Sequence, residues 1–144
     1  MFKAYTDGGS RGNPGPSAAG GVIFSPEHKQ LAEVSKYLGM RTNNYAEYSG
    51  LIITLQKCIE LNIKNIEVSM DSKLVVEQLN GKWKVKNESL KILFDEVKEL
   101  LKSFQQFSFK HIKREFNKHA DSLVNKSLDA NKLSNQMEKV SLTN

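Results

Sequence analysis

The stretch Tyr5-Thr6-Asp7-Gly8-Gly9-Ser10-Arg11-Gly12-Asn13-Pro14-Gly15-Pro16 sets a carboxylate at the end of a short apolar strand and follows it at once with a Gly- and Pro-rich turn. Glycine has no Cβ, so backbone here can approach a bulky polyanion closely. Asp7 thereby stands where a metal and a phosphate could meet. The same residues are ordinary turn formers, so the segment gains weight only from its surroundings. Upstream, residues 2–7 read as a strand. Downstream, residues 19–25 and 31–38 read as two more, with a turn around Pro26-Glu27-His28 between them, which predicts an antiparallel meander.

After the meander the period changes. Tyr48, Leu51, Ile52, Leu55, Cys58 and Ile59 follow the i, i+3, i+4, i+7 spacing of an amphipathic helix, and Thr42, Asn43 and Asn44 offer caps before it. Ile66, Val68 and Met70 alternate with polar residues and predict a fourth strand ending at Asp71. Residues 72–80 predict a short helix closed by Gly81. Leu90, Leu93, Phe94, Val97, Leu100, Leu101 and Phe104 mark a long helix, residues 106–113 a fifth strand, and a last helix starts near Lys118. Domain 1–130 would carry the activity, and 131–144 would form a polar, frayed tail. The order β-β-β-α-β-α-α-β-α implies an α/β fold with a five-stranded mixed sheet: three antiparallel strands, then parallel ones joined by helical crossovers. Functional residues in such sheets gather at the carboxyl ends of strands. Asp7 and Asp71 would be neighbours if the first and fourth strands are adjacent and parallel.

The chain has 144 residues, enough for one domain with a single core. No apolar run approaches the ~20 residues of a membrane span, and Met1-Phe2-Lys3-Ala4 opens straight into strand-like sequence, so neither a membrane segment nor a signal peptide is expected. The single cysteine, Cys58, excludes an internal disulfide and fits a reducing cytoplasm. A monomer without an obligate protein partner is expected. A net charge of +5 favours polyanionic partners. Lys82, Lys84 and Lys86 flank Trp83, a basic stretch with an embedded aromatic that suggests nucleic acid.

Four acidic residues stand out by context: Asp7, Glu47 in the first helix, Asp71 and Asp121 near the start of the last helix. Each has a local explanation. Glu47 could close a capping box on Asn44, and Asp71 and Asp121 could favour helix N-termini through the dipole. Gathered at one end of a sheet, however, four like charges repel unless neutralised. A pair of hard divalent cations would do so, and carboxylate oxygens are their preferred ligands.

With these motifs in order, the chain resembles a type 1 ribonuclease H. The signatures are Thr6-Asp7-Gly8-Gly9-Ser10 with Gly12-Asn13-Pro14-Gly15, then Thr42-Asn43-Asn44-Tyr45-Ala46-Glu47, then Asp71-Ser72, then Asn117-Lys118-His119-Ala120-Asp121. The resemblance implies a ribonuclease H-like fold. It also implies two-metal hydrolysis, with Mg²⁺ or Mn²⁺, of the RNA strand of an RNA/DNA hybrid, leaving 5′-phosphate and 3′-hydroxyl ends. By resemblance Asp7 bridges both ions, Asp121 completes the site that activates water, and Glu47 and Asp71 complete the site at the leaving oxygen. Asn13, Asn43 and Asn44 match residues that touch the minor groove or phosphates, Arg41, Thr42 and Asn87 a pocket for a DNA-strand phosphate, and Trp83 an aromatic on the DNA backbone.

The chain also departs from the family pattern. The basic helix that many bacterial members insert after the second helix is missing, and Lys82, Trp83, Lys84 and Lys86 run almost straight into the long helix. The loop before the last helix is short, which leaves His119 as a possible auxiliary group in place of a mobile loop histidine. Lys73 stands where a Gln often reaches the minor groove. These departures motivate a second reading, a catalytically weak hybrid-binding protein that keeps the fold.

Overall fold

The computed structural model describes the backbone of residues 1–143 and the side chains of residues 1–137. The strands are β1 (Phe2–Ser10), β2 (Gly15–Phe24), β3 (Gln30–Arg41), β4 (Asn65–Met70) and β5 (Gln106–His111). The helices are α1 (Asn43–Glu60), α2 (Lys73–Leu79), α3 (Glu88–Leu101) and α4 (Lys118–Thr143), with one 3₁₀ turn at Arg114–Phe116. The sheet order is β3-β2-β1-β4-β5. β1, β2 and β3 pair antiparallel, whereas β4 runs parallel to both β1 and β5. The expected five-stranded mixed sheet and the adjacency of β1 and β4 are both present.

Two differences in β1 and α4 have clear causes. β1 does not stop at Asp7 but continues through Gly8, Gly9 and Ser10, paired with β2 as far as Ser10↔Ser17. Only its pairing with β4 ends beside Asp7, at Thr6↔Met70. The glycines serve this continuation, because α1 lies almost on the strand. A Cβ on Gly8 would fall 2.1 Å from the backbone of Ala46, and one on Gly50 would fall 2.3 Å from the Asp7 carbonyl oxygen. The turn proper is Arg11–Pro14, closed by the Arg11 N–H donating to the Pro16 carbonyl at 2.8 Å. In α4, residues 131–143 extend the helix instead of fraying at 130. No Gly or Pro interrupts residues 118–143, so nothing in the backbone ends the helix.

The sheet separates two apolar clusters. The larger joins Ala4, Ile23, Ile66 and Val68 to Tyr48, Leu51 and Leu55 of α1 and to Leu90, Leu93 and Val97 of α3. The smaller joins Ala18 to Val124 and Leu128 of α4. Cys58 is a buried core thiol. Its pKa is pushed up to about 12 by burial, so it is no nucleophile. No helix among the described residues is long and apolar enough to cross a membrane.

Candidate metal centre and nucleic-acid face

Asp7 and Asp71 come together because β1 and β4 run parallel in register, which sets the residues after Thr6 and Met70 side by side. Glu47 arrives from α1. The helix starts at Asn43 with Thr42 as its N-cap, whose Oγ1 accepts from the Tyr45 N–H. Glu47 is therefore the fifth helical residue, in the second turn, and no capping box with Asn44 forms. The close seat of α1 on Gly8 turns Glu47 toward Asp7. Carboxylate oxygens of Asp7, Glu47 and Asp71 lie within 4.8 Å of one another. Asp121, in the first turn of α4, lines the same cleft of about 430 Å³ but stands outside that tight group.

The electrostatics are those of an acidic cluster that Arg114 offsets only in part. Asp7 is only 5% exposed. Its pKa is pushed up to about 7, first by burial and then by the Asp71 charge. Glu47 is raised well above the carboxylate range by burial and then by Asp7 and Asp71. Asp71 is raised by burial, while hydrogen bonding to Asn117 and the Arg114 charge pull it back. Glu47 Oε2 is buried with no hydrogen-bond partner. An unpaired buried carboxylate oxygen is costly, and a hard divalent cation facing three carboxylates would satisfy it. The donor set thus fits the divalent ions the sequence implies.

The candidate substrate residues divide by what they do in the fold. Asn13 Oδ1 accepts from the Asn43 N–H at 3.0 Å, which ties the glycine-rich turn to the start of α1. Asn43 lines the carboxylate cleft, and Asn44 is half-buried on the next position. Thr42 caps α1, and Asn87 caps α3, its Oδ1 accepting from the Leu90 N–H at 3.0 Å. The Arg41 guanidinium lies 4.5 Å from the centre of the Tyr45 ring. Trp83 is no core residue: it is 45% exposed, with Lys73 Nζ 5.9 Å from its ring centre. Lys84 and Lys86 are exposed, and no helix stands between α2 and α3.

His119 does not join the cleft. Two residues before Asp121 is about 200° around the helix. Its imidazole instead pairs with the Glu33 carboxylate and packs edge-on against Phe24. It lines a separate hollow with Tyr5, Phe24 and Phe116. Sequence reasoning passed over two residues that do reach the cluster. The Arg114 guanidinium lies 3.7 Å from the Asp121 carboxylate and lines the cleft. Asn117 Nδ2 donates to the Thr6 carbonyl at 2.8 Å from a position 1% exposed. The signal for Arg114 was a lone guanidinium in the short loop before Asp121; that for Asn117 was its place at the head of the Asn117-Lys118-His119-Ala120-Asp121 signature.

The reverse transcriptase-like family matches residues 5–127. A bifunctional protein of Mycobacterium tuberculosis is 44% identical over 125 residues, which are 86% of this chain and 34% of that protein. The ribonuclease HI of Halobacterium salinarum is 41% identical over 126 residues, 88% of this chain and 63% of its own length. The chain thus spans about a third to under two thirds of these relatives. The crystal structure of the Halobacterium RNase H1 superposes with a TM-score of 0.87 at 40% identity, covering 90% of this chain and 98% of that one. LC11-RNase H1, solved in complex with an RNA/DNA hybrid, superposes with a TM-score of 0.85 at 40% identity over the same shares.

Proposed function

Because the chain belongs to the type 1 ribonuclease H family, we propose that it is a metal-dependent endonuclease that hydrolyses the RNA strand of RNA/DNA hybrids. The observation that carries this reading is the convergence of Asp7, Glu47 and Asp71 within 4.8 Å, with a buried Glu47 oxygen left without a protein partner. Asp7, placed centrally, would be shared by two ions, Mg²⁺ or Mn²⁺, with Glu47 and Asp71 on one side and Asp121 on the other. Such ions supply activation of water and charge stabilisation at the leaving oxygen. The products are then 5′-phosphate and 3′-hydroxyl ends.

The protein's own part is to hold four carboxylates at one sheet end and to seat a duplex across it. Arg114 balances Asp121 and Asp71 before substrate arrives. Asn13, Asn43 and Asn44 offer donors and acceptors at the mouth of the cleft, where a 2′-hydroxyl distinguishes RNA from DNA. Arg41, Thr42 and Asn87, together with Lys73, Trp83, Lys84 and Lys86, meet the DNA strand through phosphates and sugar faces. A cytoplasmic monomer acting without a protein partner completes the reading.

The test is incubation of pure protein with labelled hybrid, duplex RNA, duplex DNA and single strands, with Mg²⁺, Mn²⁺ or excess EDTA. Hybrid cleavage that requires a divalent ion is expected. Binding of hybrid without cleavage under any metal would instead establish the catalytically weak binder.

A further inference from the structure

Gln78 sits on α2 with 5% of its surface exposed, outside the lining of the carboxylate cleft, and its side chain joins α1 to the segment after α2. Tyr48 Oη, on a fully buried residue of α1, donates to Gln78 Oε1 at 2.5 Å. Gln78 Nε2 donates to the Lys84 carbonyl at 3.3 Å. The amide orientation is forced, because a carbonyl can only accept and so must face the NH₂ group. Tyr48 adjoins Glu47 in sequence. Lys84 lies in the segment that carries Trp83 and Lys86. The bridge therefore spans from the helix that holds a catalytic carboxylate to the segment that holds the basic surface.

We infer that Gln78 is a positioning residue for hybrid binding: through Tyr48 and the Lys84 carbonyl it fixes the Lys82–Lys86 segment at a set distance from the carboxylate cleft. This rests on the reading above that the segment meets the DNA strand. The segment has few other restraints. Gly81 turns it with a φ of 78°, the Lys82 and Trp83 N–H groups donate to the Glu77 carbonyl, and Val85 packs its side chain against the core. Val85 packs inward, and Lys84 and Lys86 before and after it are exposed. The Gln78 bond holds the irregular stretch at the Lys84 carbonyl, a point that neither the Glu77 carbonyl nor Val85 restrains. A duplex is rigid, so the gap between cleft and basic segment decides whether both strands are gripped together. No basic helix intervenes in this chain to spread that grip.

The experiment compares Gln78→Met, which keeps shape but neither bond, and Tyr48→Phe, which removes a single O–H, with the unaltered protein. KM for hybrid and kcat are measured separately, together with amide exchange at Val85 and Lys86. Loss of one or two neutral hydrogen bonds predicts a KM rise of about three- to tenfold in Gln78→Met. The rise should be smaller in Tyr48→Phe, with kcat held within about twofold and faster exchange at both amides. A core-only role for the bridge would lower the melting temperature and leave KM unchanged, and that result overturns the inference. Lys84→Ala with Lys86→Ala separates the two readings. If the double variant raises KM and Gln78→Met does not, the bridge has no positioning role. If the double variant also leaves KM unchanged, the segment is no substrate surface and both fall.

Discussion

At the scale of single residues, a carboxyl group that is 5% exposed and faces two others has its charge opposed by the fold itself. Asp7, with its pKa near 7 in the folded protein against 3.8 when unperturbed, binds its proton more tightly folded than unfolded. Its stabilising effect is then complete below the unfolded value and is lost as pH rises through about 7. Without metal, the melting temperature should fall between pH 4 and pH 8, and Asp7→Asn should flatten that fall and melt at least ~3 °C higher at pH 8. The same substitution should abolish hybrid cleavage. A thermal melt series at both pH values and a turnover assay check the two halves. His119 makes the contrasting case. Held by Glu33 and Phe24 outside the cleft, it should lose less than ~10²-fold in activity on change to Ala, below the range of an essential general acid or base. Asp121→Asn should lose nearly everything under the same single-turnover conditions.

At the scale of elements, the site depends on how closely α1 rides on β1. Gly8→Ala places a methyl 2.1 Å from the Ala46 backbone, which no side-chain rotation relieves. α1 must lift, carrying Glu47 away from Asp7. The expected cost is ~3 kcal/mol or more, read as a large drop in denaturant midpoint with loss of activity in whatever remains folded. This packing also explains what the sequence could disclose. The strand and helix periods of residues 19–25, 48–59 and 66–71 report burial on one face, and they located β2, α1 and β4 and hence the pairing of Asp7 with Asp71. Gly8 and Gly9 carry no side chain to show a period, so their place inside β1 was hidden and they read as turn. Thr42 reads from the sequence both as a cap of the first helix and as part of a phosphate pocket, and it does cap α1; Asn87 reads only as part of that pocket, and it caps α3, a role compatible with the phosphate contact proposed above. His119 missed the cleft because adjacency in a helical sequence is opposition in space.

At the scale of the whole molecule, two features of opposite charge matter: a carboxylate cleft, which opposes a polyanion until cations neutralise it, and the exposed lysines of the segment between α2 and α3, which on the function proposed above would attract one. Net charge is +5, yet the cleft gathers four acidic side chains. Divalent ions should therefore stabilise the folded chain as well as activate it. With Mn²⁺ at 100 times its dissociation constant the gain is about 2.7 kcal/mol, and EDTA should remove both that gain and the cleavage. The exposed lysines follow the rule for backbone binding. Each phosphate neutralised releases a counterion, so the logarithm of the binding constant falls linearly with the logarithm of salt concentration, by roughly 0.7–0.9 per phosphate. Lys84 and Lys86 are both exposed, with Val85 between them packed against the core. If each meets one phosphate, Lys84→Ala with Lys86→Ala should reduce the magnitude of the salt slope by about 1.4–1.8 and weaken binding most at low salt. Asp7→Asn protein allows the titration to be made on intact hybrid. A slope unchanged from that of the Asp7→Asn background would place the duplex on another face, and the short, handle-free segment after α2 would then have no part in holding it.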